Sequence, residues 1–367
     1  MKATFNKESL KEALSLITGV VPARSPKPVL ECVKITVDND KAEFFATDNE
    51  IGMTIEVNQI ECECPGTIII PAAKIASIVR ESKDDTITIE SSDMSIYVKG
   101  KSSKFTIYGY GDEQFPKAPG TDAEYCIKTT IGDLRIGVDS VMAATAKQVT
   151  HYGLQGVMWE VDEDSMRMVA TDGKRLAMMK CGVSDVNTDL IPGNNIIVPS
   201  KTLNLLHKIT AGSEREVLIK FADNQIVFDC GNVAIMSNLI DGKFPAYENI
   251  IPESYETQAT LNCNDVMSAA RSASLLTNDD SKGIKLSFTK NRLKLTGRAP
   301  EMGDAEINVD IEYDGPDNEI AFNPLFLIDA IKGCKHGDFI FEFTDKERPG
   351  VIKKGDDYIH VIMPMNA

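Results

Sequence analysis

The sequence predicts an α+β protein made of three repeated domains, each with two helices packed on antiparallel sheets. Three observations support this prediction. A strand followed by a helix recurs at a nearly constant spacing, and the segments between the helices alternate apolar and polar residues. The chain has 367 residues, which is enough for three small domains.

The clearest repeat is an apolar strand that leads through a small turn into an amphipathic helix. Its three copies lie at residues 68–79, 196–206 and 320–330. Pro71 and Pro199 are 128 positions apart, and the third copy has its proline one place later, at Pro324. Proline suits this position because the first helical turn has no partners for its N–H groups.

Three further marks recur with a similar period. Helical patterns open at Leu10, Leu134 and Val266, each after a short strand-like run. Ala-Thr-Asp recurs 124 positions apart, at 46–48 and 170–172. Phe-Pro recurs 129 positions apart, at 115–116 and 244–245.

This period is the size of a whole small domain and is too long for solenoid units of roughly 20–50 residues. The alternative is that strand and helix signals recur by chance, and chance would have to produce all four recurring patterns at once. We therefore expect three similar domains, over residues 1–121, 122–253 and 254–367.

The segments between the helices have the pattern of strands. Residues 33–37, 86–90 and 95–99 alternate apolar and polar side chains, which is typical of a strand with one buried face. Asp38-Asn39-Asp40 follows the first of them and predicts a turn, because Asx side chains bond to their own backbone.

The charge of the chain is unevenly distributed. There are 39 Lys and Arg against 55 Asp and Glu, a net charge of −16. The first helix of each repeat is predicted over 6–21, 132–147 and 264–283. With the second helices, the six carry about +4, which leaves about −20 elsewhere. Solvated helix faces could have this charge, and so could helices that face a polyanion; the acidic total argues against tight static binding to DNA.

Signals for chemistry are missing from the sequence. It has no P-loop, His-Glu-x-x-His or Gly-x-Ser-x-Gly motif, and Asp172–Arg175 is interpreted as a strand–turn–strand because Asp-Gly favours turns. Of eight cysteines only Cys62 and Cys64 are close together, and we interpret them as alternating residues of a strand. We expect no metal site and no cofactor.

The sequence also predicts no membrane segment. No stretch approaches the roughly 20 apolar residues of a membrane-spanning helix, and the first residues lack the apolar core of a signal peptide. A cytoplasmic protein is the expectation.

Three motifs, in this order and spacing, resemble the bacterial DNA polymerase III beta subunit family of sliding clamps. They are Ala170–Ala177, Leu239–Tyr247 and Val361–Met365. The resemblance covers the whole chain. It implies a head-to-tail homodimeric ring of six domains that encircles duplex DNA without regard to sequence. Such a ring catalyses no reaction and gives processivity by tethering the polymerase to its template.

The resemblance also implies a hydrophobic pocket that takes short peptides from the polymerase, the clamp loader and repair proteins. The matching residues are Leu154, Thr171, Gly173, Lys174, Arg175, Leu176, Pro245, Ile250, Asn323, Phe326, Val361, Ile362, Met363, Pro364 and Met365. We expect Leu176, Pro245, Ile362 and Met363 to form the wall of this pocket.

The positions that match the family's DNA contacts form a second implied set. They are Arg24, Lys74, Arg80, Gln148, Tyr152 and Lys201. Two other functions stay open at this point. A triplicated β-rich scaffold or enzyme unrelated to replication would need a pocket with converging acid and base groups, and none is visible. A standalone DNA-binding protein conflicts with the acidic total.

Overall fold

The computed structural model describes residues 1–111, 115–117, 123–147, 152–193, 196–209, 212–222, 224–277, 283–300 and 302–365. Contacts between segments divide the chain into two compact units, described separately below. Unit 1 comprises Met1–Gly132, Val183–Pro192 and Lys201–Leu239. Unit 2 comprises Asp133–Gly182, Gly193–Ser200 and Ile240–Ala367.

The described residues contain six α-helices. They are α1 (Lys7–Ile17), α2 (Ala72–Glu81), α3 (Ile131–Val141), α4 (Ser200–Lys208), α5 (Cys263–Ser274) and α6 (Pro324–Gly333). None of them is long and apolar enough to cross a membrane.

The strands of the first repeat are β1 (Lys2–Asn6), β2 (Cys32–Asp38), β3 (Lys41–Thr47), β4 (Ile51–Asn58), β5 (Glu61–Cys64), β6 (Gly66–Pro71), β7 (Thr86–Ser92), β8 (Ser95–Lys99) and β9 (Lys104–Tyr108). Those of the second are β10 (Tyr125–Thr130), β11 (Gly156–Val161), β12 (Ser165–Thr171), β13 (Arg175–Gly182), β14 (Asp185–Val186), β15 (Ile196–Pro199), β16 (Glu216–Ala222), β17 (Gln225–Asp229) and β18 (Val233–Asn238). Those of the third are β19 (Thr257–Asn262), β20 (Ile284–Thr289), β21 (Arg292–Ala299), β22 (Gly303–Asp310), β23 (Asn318–Phe322), β24 (Asp338–Phe343), β25 (Gly350–Lys354) and β26 (Tyr358–Ile362).

The order of elements repeats three times along the chain. Each repeat has a strand, a helix, three strands, a further strand that leads into the second helix, and three final strands. The first two repeats add one short strand, β5 or β14. The predictions of two helices per repeat and of antiparallel strands between them are therefore confirmed.

The described part of unit 1 contains two antiparallel sheets. One has the strand order β5-β1-β7-β8-β9, and the other has the order β14-β10-β16-β17-β18-β4-β3-β2-β6. In the larger sheet, strands of the second repeat join strands of the first where Ile235 lies opposite Met53 in the β18–β4 pair.

Unit 2 follows the same plan. Its larger sheet has the order β15-β11-β12-β13-β26-β25-β24-β19, and its smaller sheet has the order β22-β21-β20-β23. Here β13 and β26 join the second repeat to the third, with Leu176 opposite Val361.

The predicted small turn between strand and second helix is wrong in the first two repeats, where β6 and β15 run directly into α2 and α4; in the third, only Asn323 lies between β23 and α6. Pro71 ends β6 and Ala72 begins α2 without an intervening residue. At α1, α5 and α6 an asparagine takes the cap position, and Asn6, Asn262 and Asn323 each accept hydrogen bonds from N–H groups of the first turn.

The first helix of each repeat is shorter than predicted. α1 ends at Ile17 because Thr18, Gly19 and two valines follow, all poor helix formers. α3 ends at Val141, and α5 ends at Ser274; part of the stretch predicted for α5 falls outside the described residues. The six helices then carry a net charge of +2, and the rest of the chain −18. The partition of charge is weaker than expected but keeps its sign.

All eight cysteines lie within the described residues and are free thiols, and Cys62 and Cys64 lie on strand β5 as predicted. Among the described residues no three His, Cys, Asp or Glu side chains are grouped so that they could hold a metal ion.

Candidate partner site and basic helices

The turn between β12 and β13 is held by two side chains. Asp172 Oδ1 accepts hydrogen bonds from the N–H groups of Lys174 (3.0 Å) and Arg175 (3.1 Å). Thr171 Oγ1 donates to the Arg175 carbonyl (2.7 Å) and accepts from the Gly173 N–H (3.1 Å). Gly173 has φ +83°, which glycine adopts without strain. The predicted strand–turn–strand is confirmed.

Arg175 is buried, and its guanidinium reaches three acceptors inside unit 2. Nε donates to Asp172 Oδ2 (3.1 Å), Nη1 donates to Asp329 Oδ2 (3.0 Å), and Nη2 donates to the carbonyl oxygen of Ala143. The guanidinium carbon lies 4.3 Å from the centre of the Phe326 ring. These interactions join the β12–β13 turn to helix α6 and fix the position of the Phe326 ring.

The C-terminal tail follows β26 along the same turn. The Met363 N–H donates to the Lys174 carbonyl (2.9 Å), and the Met365 N–H donates to the Ala321 carbonyl (2.8 Å). The tail therefore runs from the β12–β13 turn to the end of β23, just before Asn323 caps α6.

The structure separates the fifteen predicted pocket residues by burial. The buried ones are Thr171, Arg175, Leu176, Val361 and Ile362. The half-buried ones are Leu154, Asn323, Phe326, Pro364 and Met365. The exposed ones are Gly173, Lys174, Pro245, Ile250 and Met363.

This separation divides the expected wall into a floor and a surface. Leu176 and Val361 belong to a hydrophobic cluster with Phe244 and Tyr247, and Leu154 packs against its edge. Ile362 is fully buried in a second cluster. A peptide that lies on this surface would contact the exposed and half-buried residues, which the buried ones support from beneath.

Sequence reasoning missed Asp329 and Ala143, which hold Arg175. Asp329 is 154 positions from Arg175, and Ala143 contributes only a backbone carbonyl. No local signal marks either partner, because the pairing arises from strand and helix packing.

We expect Arg175→Leu to lower the free energy of unfolding by about 3 kcal/mol. The substitution leaves the largely buried carboxylates of Asp172 and Asp329 without their positive partner. Urea denaturation of the whole chain measures this. Lys174→Ala, at the exposed neighbouring position, should leave the midpoint unchanged. Equal midpoints for Arg175→Leu and the wild type would contradict a structural role for the guanidinium.

His360 lies in the same interior. Its Nδ1 is 2.9 Å from the hydroxyl of Tyr358, which donates to the Ala330 carbonyl (2.8 Å). Burial lowers the pKa of His360 to about 3, and the positive charge of Arg175 acts in the same direction. The folded protein therefore keeps this imidazole neutral at pH values where the unfolded chain protonates it.

This depressed pKa makes stability depend on pH. The stability that comes from keeping His360 neutral is fully present above pH 6.5, the ordinary pKa of a histidine. It is lost as the pH falls toward about 3, the pKa of His360 in the folded protein. Relative to His360→Gln, the wild type should lose about 2 kcal/mol of unfolding free energy between pH 7.5 and pH 5. Urea titrations at both pH values test this, with His336→Gln, at an exposed histidine, as the control. An equal loss of unfolding free energy between the two pH values in the wild type and in His360→Gln would contradict a buried neutral histidine.

The predicted DNA-contact residues lie mostly on exposed positions of unit 1. Lys74 and Arg80 project from α2, Lys201 lies on α4, and Arg24 follows α1; all four are exposed. Lys201 is paired with Asp48. Arg80 is paired with its neighbour Glu81, at 3.2 Å from Nε to Oε1.

The two remaining positions of this set are not described in side-chain detail. Gln148 lies outside the described residues. Tyr152 begins a short 3₁₀ helix, Tyr152–Gln155, and its side chain lies outside the described part.

Comparison with known proteins assigns the family. Sequence models of the DNA polymerase III beta subunit match the chain in three parts: the N-terminal domain over residues 1–119, the central domain over 132–246 and the C-terminal domain over 248–366. The chain belongs to the DNA polymerase III beta subunit family.

Relatives and solved structures of this family match over the full length. The beta sliding clamp of Pseudomonas aeruginosa is 29% identical, with 100% of both chains covered, and that of Escherichia coli is 26% identical with the same coverage. The crystal structure of the Bacillus subtilis sliding clamp has a TM-score of 0.93 at 25% identity and covers 100% of this chain and 99% of that one. The P. aeruginosa clamp bound to griselimycin has a TM-score of 0.93 at 29% identity, with 100% of both chains covered.

Membership of this family also decides the class of function. The DNA polymerase III beta subunit is a processivity factor and is not itself catalytic. The alternative of a triplicated scaffold or enzyme unrelated to replication is therefore not retained.

Proposed function

We propose that this chain is a DNA sliding clamp that closes into a head-to-tail homodimeric ring around duplex DNA. The observation that carries the proposal is the repeated sheet topology. The final strand of the second repeat, β18, pairs with β4, the fourth strand of the first. In the same way β26, the final strand of the third repeat, pairs with β13, the fourth strand of the second.

One final strand and one fourth strand remain without such a partner and lie at sheet edges. β9 is the final strand of the first repeat and ends the five-stranded sheet of unit 1. β22 is the fourth strand of the third repeat and ends the four-stranded sheet of unit 2. At both internal junctions the final strand of one repeat pairs with the fourth strand of the repeat before it. If the same pairing joins two chains, β9 of one protomer pairs antiparallel with β22 of a second copy. Two such junctions close a ring of two chains.

The side chains at these two edges are complementary. On and beside β9 are Lys83, Lys101 and Lys104, all exposed, and the apolar Phe105, which is 44% exposed. β22 carries Asp304, Glu306 and Asp310, all exposed, and α5, which packs against β22, ends beside Leu275, which is 75% exposed. Opposite charges around apolar contacts favour pairing between β9 and β22 over pairing of either edge with itself.

The three-domain division over residues 1–121, 122–253 and 254–367 is part of this proposal. It is supported by the threefold repetition of the element order. Six domains would then surround the DNA, with Lys74, Arg80 and Lys201 on helices that face its phosphates. Binding of this kind does not depend on the DNA sequence, and the acidic remainder of the surface keeps it weak.

Short peptides of the replicative polymerase, the clamp loader and repair proteins are the proposed partners. They would bind the surface formed by Pro245, Ile250, Phe326 and Met363. Methionine and aliphatic side chains suit a site with several partners because they repack easily. A cytoplasmic location fits this function.

Retention on DNA tests the ring. The protein, loaded by its clamp loader onto nicked circular plasmid, should sediment with the DNA. Linearising the plasmid should release it, since a ring slides off a free end. Equal retention on the two forms would show ordinary binding rather than encirclement.

The role of the basic helices is tested by salt. Lys74→Ala combined with Arg80→Ala should weaken direct binding to linear duplex. The slope of log K against log salt should also fall, by roughly 1 for each phosphate that the variant no longer neutralises. Titrations with fluorescent duplex at several salt concentrations measure both effects. Lys346→Ala, at an exposed position outside the helices, is the matched control. An unchanged slope in the double variant would show that α2 does not bind DNA.

A further inference from the structure

The ammonium group of Lys201, on α4, is paired with the carboxylate of Asp48, in the turn between β3 and β4. The two residues are 153 positions apart, and both belong to unit 1. Their exposure differs: 52% of the Lys201 side chain is exposed, against 13% of the Asp48 side chain. An exposed cation is therefore held by an anion that the fold largely encloses.

The Asp48 carboxylate is ordered by its own turn. Its Oδ1 accepts hydrogen bonds from the N–H groups of Glu50 (2.9 Å) and Ile51 (2.7 Å), which leaves Oδ2 to accept from the Lys201 ammonium. Since the backbone already fixes the carboxylate, the entropic cost of the ion pair falls mainly on the long side chain of Lys201.

The ion pair spans the junction between the first two repeats, but backbone hydrogen bonds hold that junction without it. Strands β18 and β4 pair from Val233 opposite Ile55 to Ser237 opposite Ile51. The N–H of Asn238, at the end of β18, donates to the Glu50 carbonyl in the same turn (2.9 Å). The turn therefore stays in place when Lys201 leaves Asp48.

We propose that Asp48 competes with DNA phosphate for Lys201 and so keeps this contact with DNA weak. The inference rests on the proposed function, in which Lys201 lies on a helix that faces the phosphates. An ion pair with so exposed a member is weak, so a phosphate can displace the carboxylate. The displacement has a cost, and the net gain from the phosphate contact is smaller than it is for an unpaired lysine.

A weak contact suits a ring on DNA. Phosphate contacts that do not depend on sequence and break easily allow a protein to slide along the duplex. A ring is retained by encirclement, so it loses nothing when a single contact breaks. Asp48 would then set how strongly α4 holds the DNA without being a contact itself.

Asp48→Asn tests the competition. Asparagine keeps an Oδ1 acceptor for the two N–H groups of the turn but has no negative charge, so Lys201 becomes available to a phosphate. Duplex binding should tighten by about two- to fivefold. The slope of log K against log salt should become steeper by roughly 1. Titrations of the full chain with fluorescent linear duplex at several salt concentrations measure both effects.

Glu50→Gln is the matched control. It removes the same charge from the same turn, at an exposed position whose side chain does not hold Lys201. Its affinity should change much less than that of Asp48→Asn, and its salt slope should stay that of the wild type.

The decisive variant combines Asp48→Asn with Lys201→Ala. Here the gain in affinity should disappear, because the carboxylate has no lysine to release. A gain that persists without Lys201 would overturn the proposal, since Asp48 would then act only by repelling DNA. An unchanged affinity in Asp48→Asn, or a Lys201→Ala protein that binds duplex as the wild type does, would overturn it as well. Encirclement is measured separately by retention on nicked and linearised plasmid, so a failure of this inference is distinguishable from a failure of the ring.

Discussion

Replacing Phe105 with aspartate is expected to convert the dimer to monomers and to abolish retention on nicked circular DNA. Phe105 lies on the edge strand β9 and lines a groove of about 420 Å³ with Ile78 and Lys83. Burial of a Phe side chain contributes roughly 1.5–3 kcal/mol. The proposed ring contains this contact twice, so the dimer dissociation constant should rise by at least about a hundredfold. The buried carboxylate adds a further cost.

Analytical ultracentrifugation at low micromolar protein measures the change, and sedimentation with nicked plasmid measures its consequence. Tyr255→Asp is the matched control, because Tyr255 is also an aromatic residue and is 46% exposed outside the two edge strands. It should stay dimeric and retained. A Phe105→Asp protein that remains dimeric would move the interface away from β9.

The complementary variant at the other edge sharpens this test. Leu275→Asp, at the end of α5, should also give monomers, because Leu275 lies on the repeat whose β22 is at a sheet edge. If only one of the two variants dissociates, the junction is not the head-to-tail pair that the topology implies. Both results come from the intact chain and need no separate domain.

Local sequence patterns predicted most of the repeated elements. Hydrophobic alternation, and the change from a strand pattern to a helical one, can both be recognised within a short stretch of sequence. Strands such as β7 and β8 followed directly from alternation. The ends of α1 and α5 were missed because helix termination depends on a few weak propensities. The pairing of β18 with β4, about 180 positions away, has no local signature, since register arises from packing of the whole sheet.

The candidate site shows the same limit. Its motif residues could be found by resemblance, but a motif does not tell which side chains face outward. Leu176 and Ile362 are buried, whereas Met363, next in the chain, is 41% exposed. Strand alternation alone would not separate them, because Met363 lies just past the end of β26. The ion pair between Arg175 and Asp329 joins distant segments and required the structure.

Deletion of residues 363–367 is expected to abolish binding of a polymerase-derived peptide while the ring stays dimeric. The tail follows β26 and is held by two backbone hydrogen bonds, from Met363 to Lys174 and from Met365 to Ala321. Neither residue belongs to a buried core, so the fold of unit 2 should survive. The tail supplies the exposed Met363 and the half-buried Pro364 and Met365, and its loss removes one side of the proposed surface.

A single substitution in the tail should weaken peptide binding without abolishing it. Met363→Ala should weaken peptide binding by about ten- to a hundredfold, since loss of one buried apolar anchor costs roughly 1.5–3 kcal/mol and each decade of affinity is about 1.4 kcal/mol. Met302→Ala is the matched control: Met302 is 64% exposed and belongs to the turn between β21 and β22.

Fluorescence anisotropy with a labelled peptide from the clamp-binding segment of the host polymerase measures the affinity, and ultracentrifugation verifies the dimer. Processive synthesis on a primed circle should fall in parallel with peptide affinity, because the tether holds the polymerase near its template. Equal affinity for wild type, Met363→Ala and the truncated chain would place the partner site elsewhere on the protein. Loss of the dimer on truncation would instead show that the tail supports the ring, which its position after the last strand of unit 2 argues against.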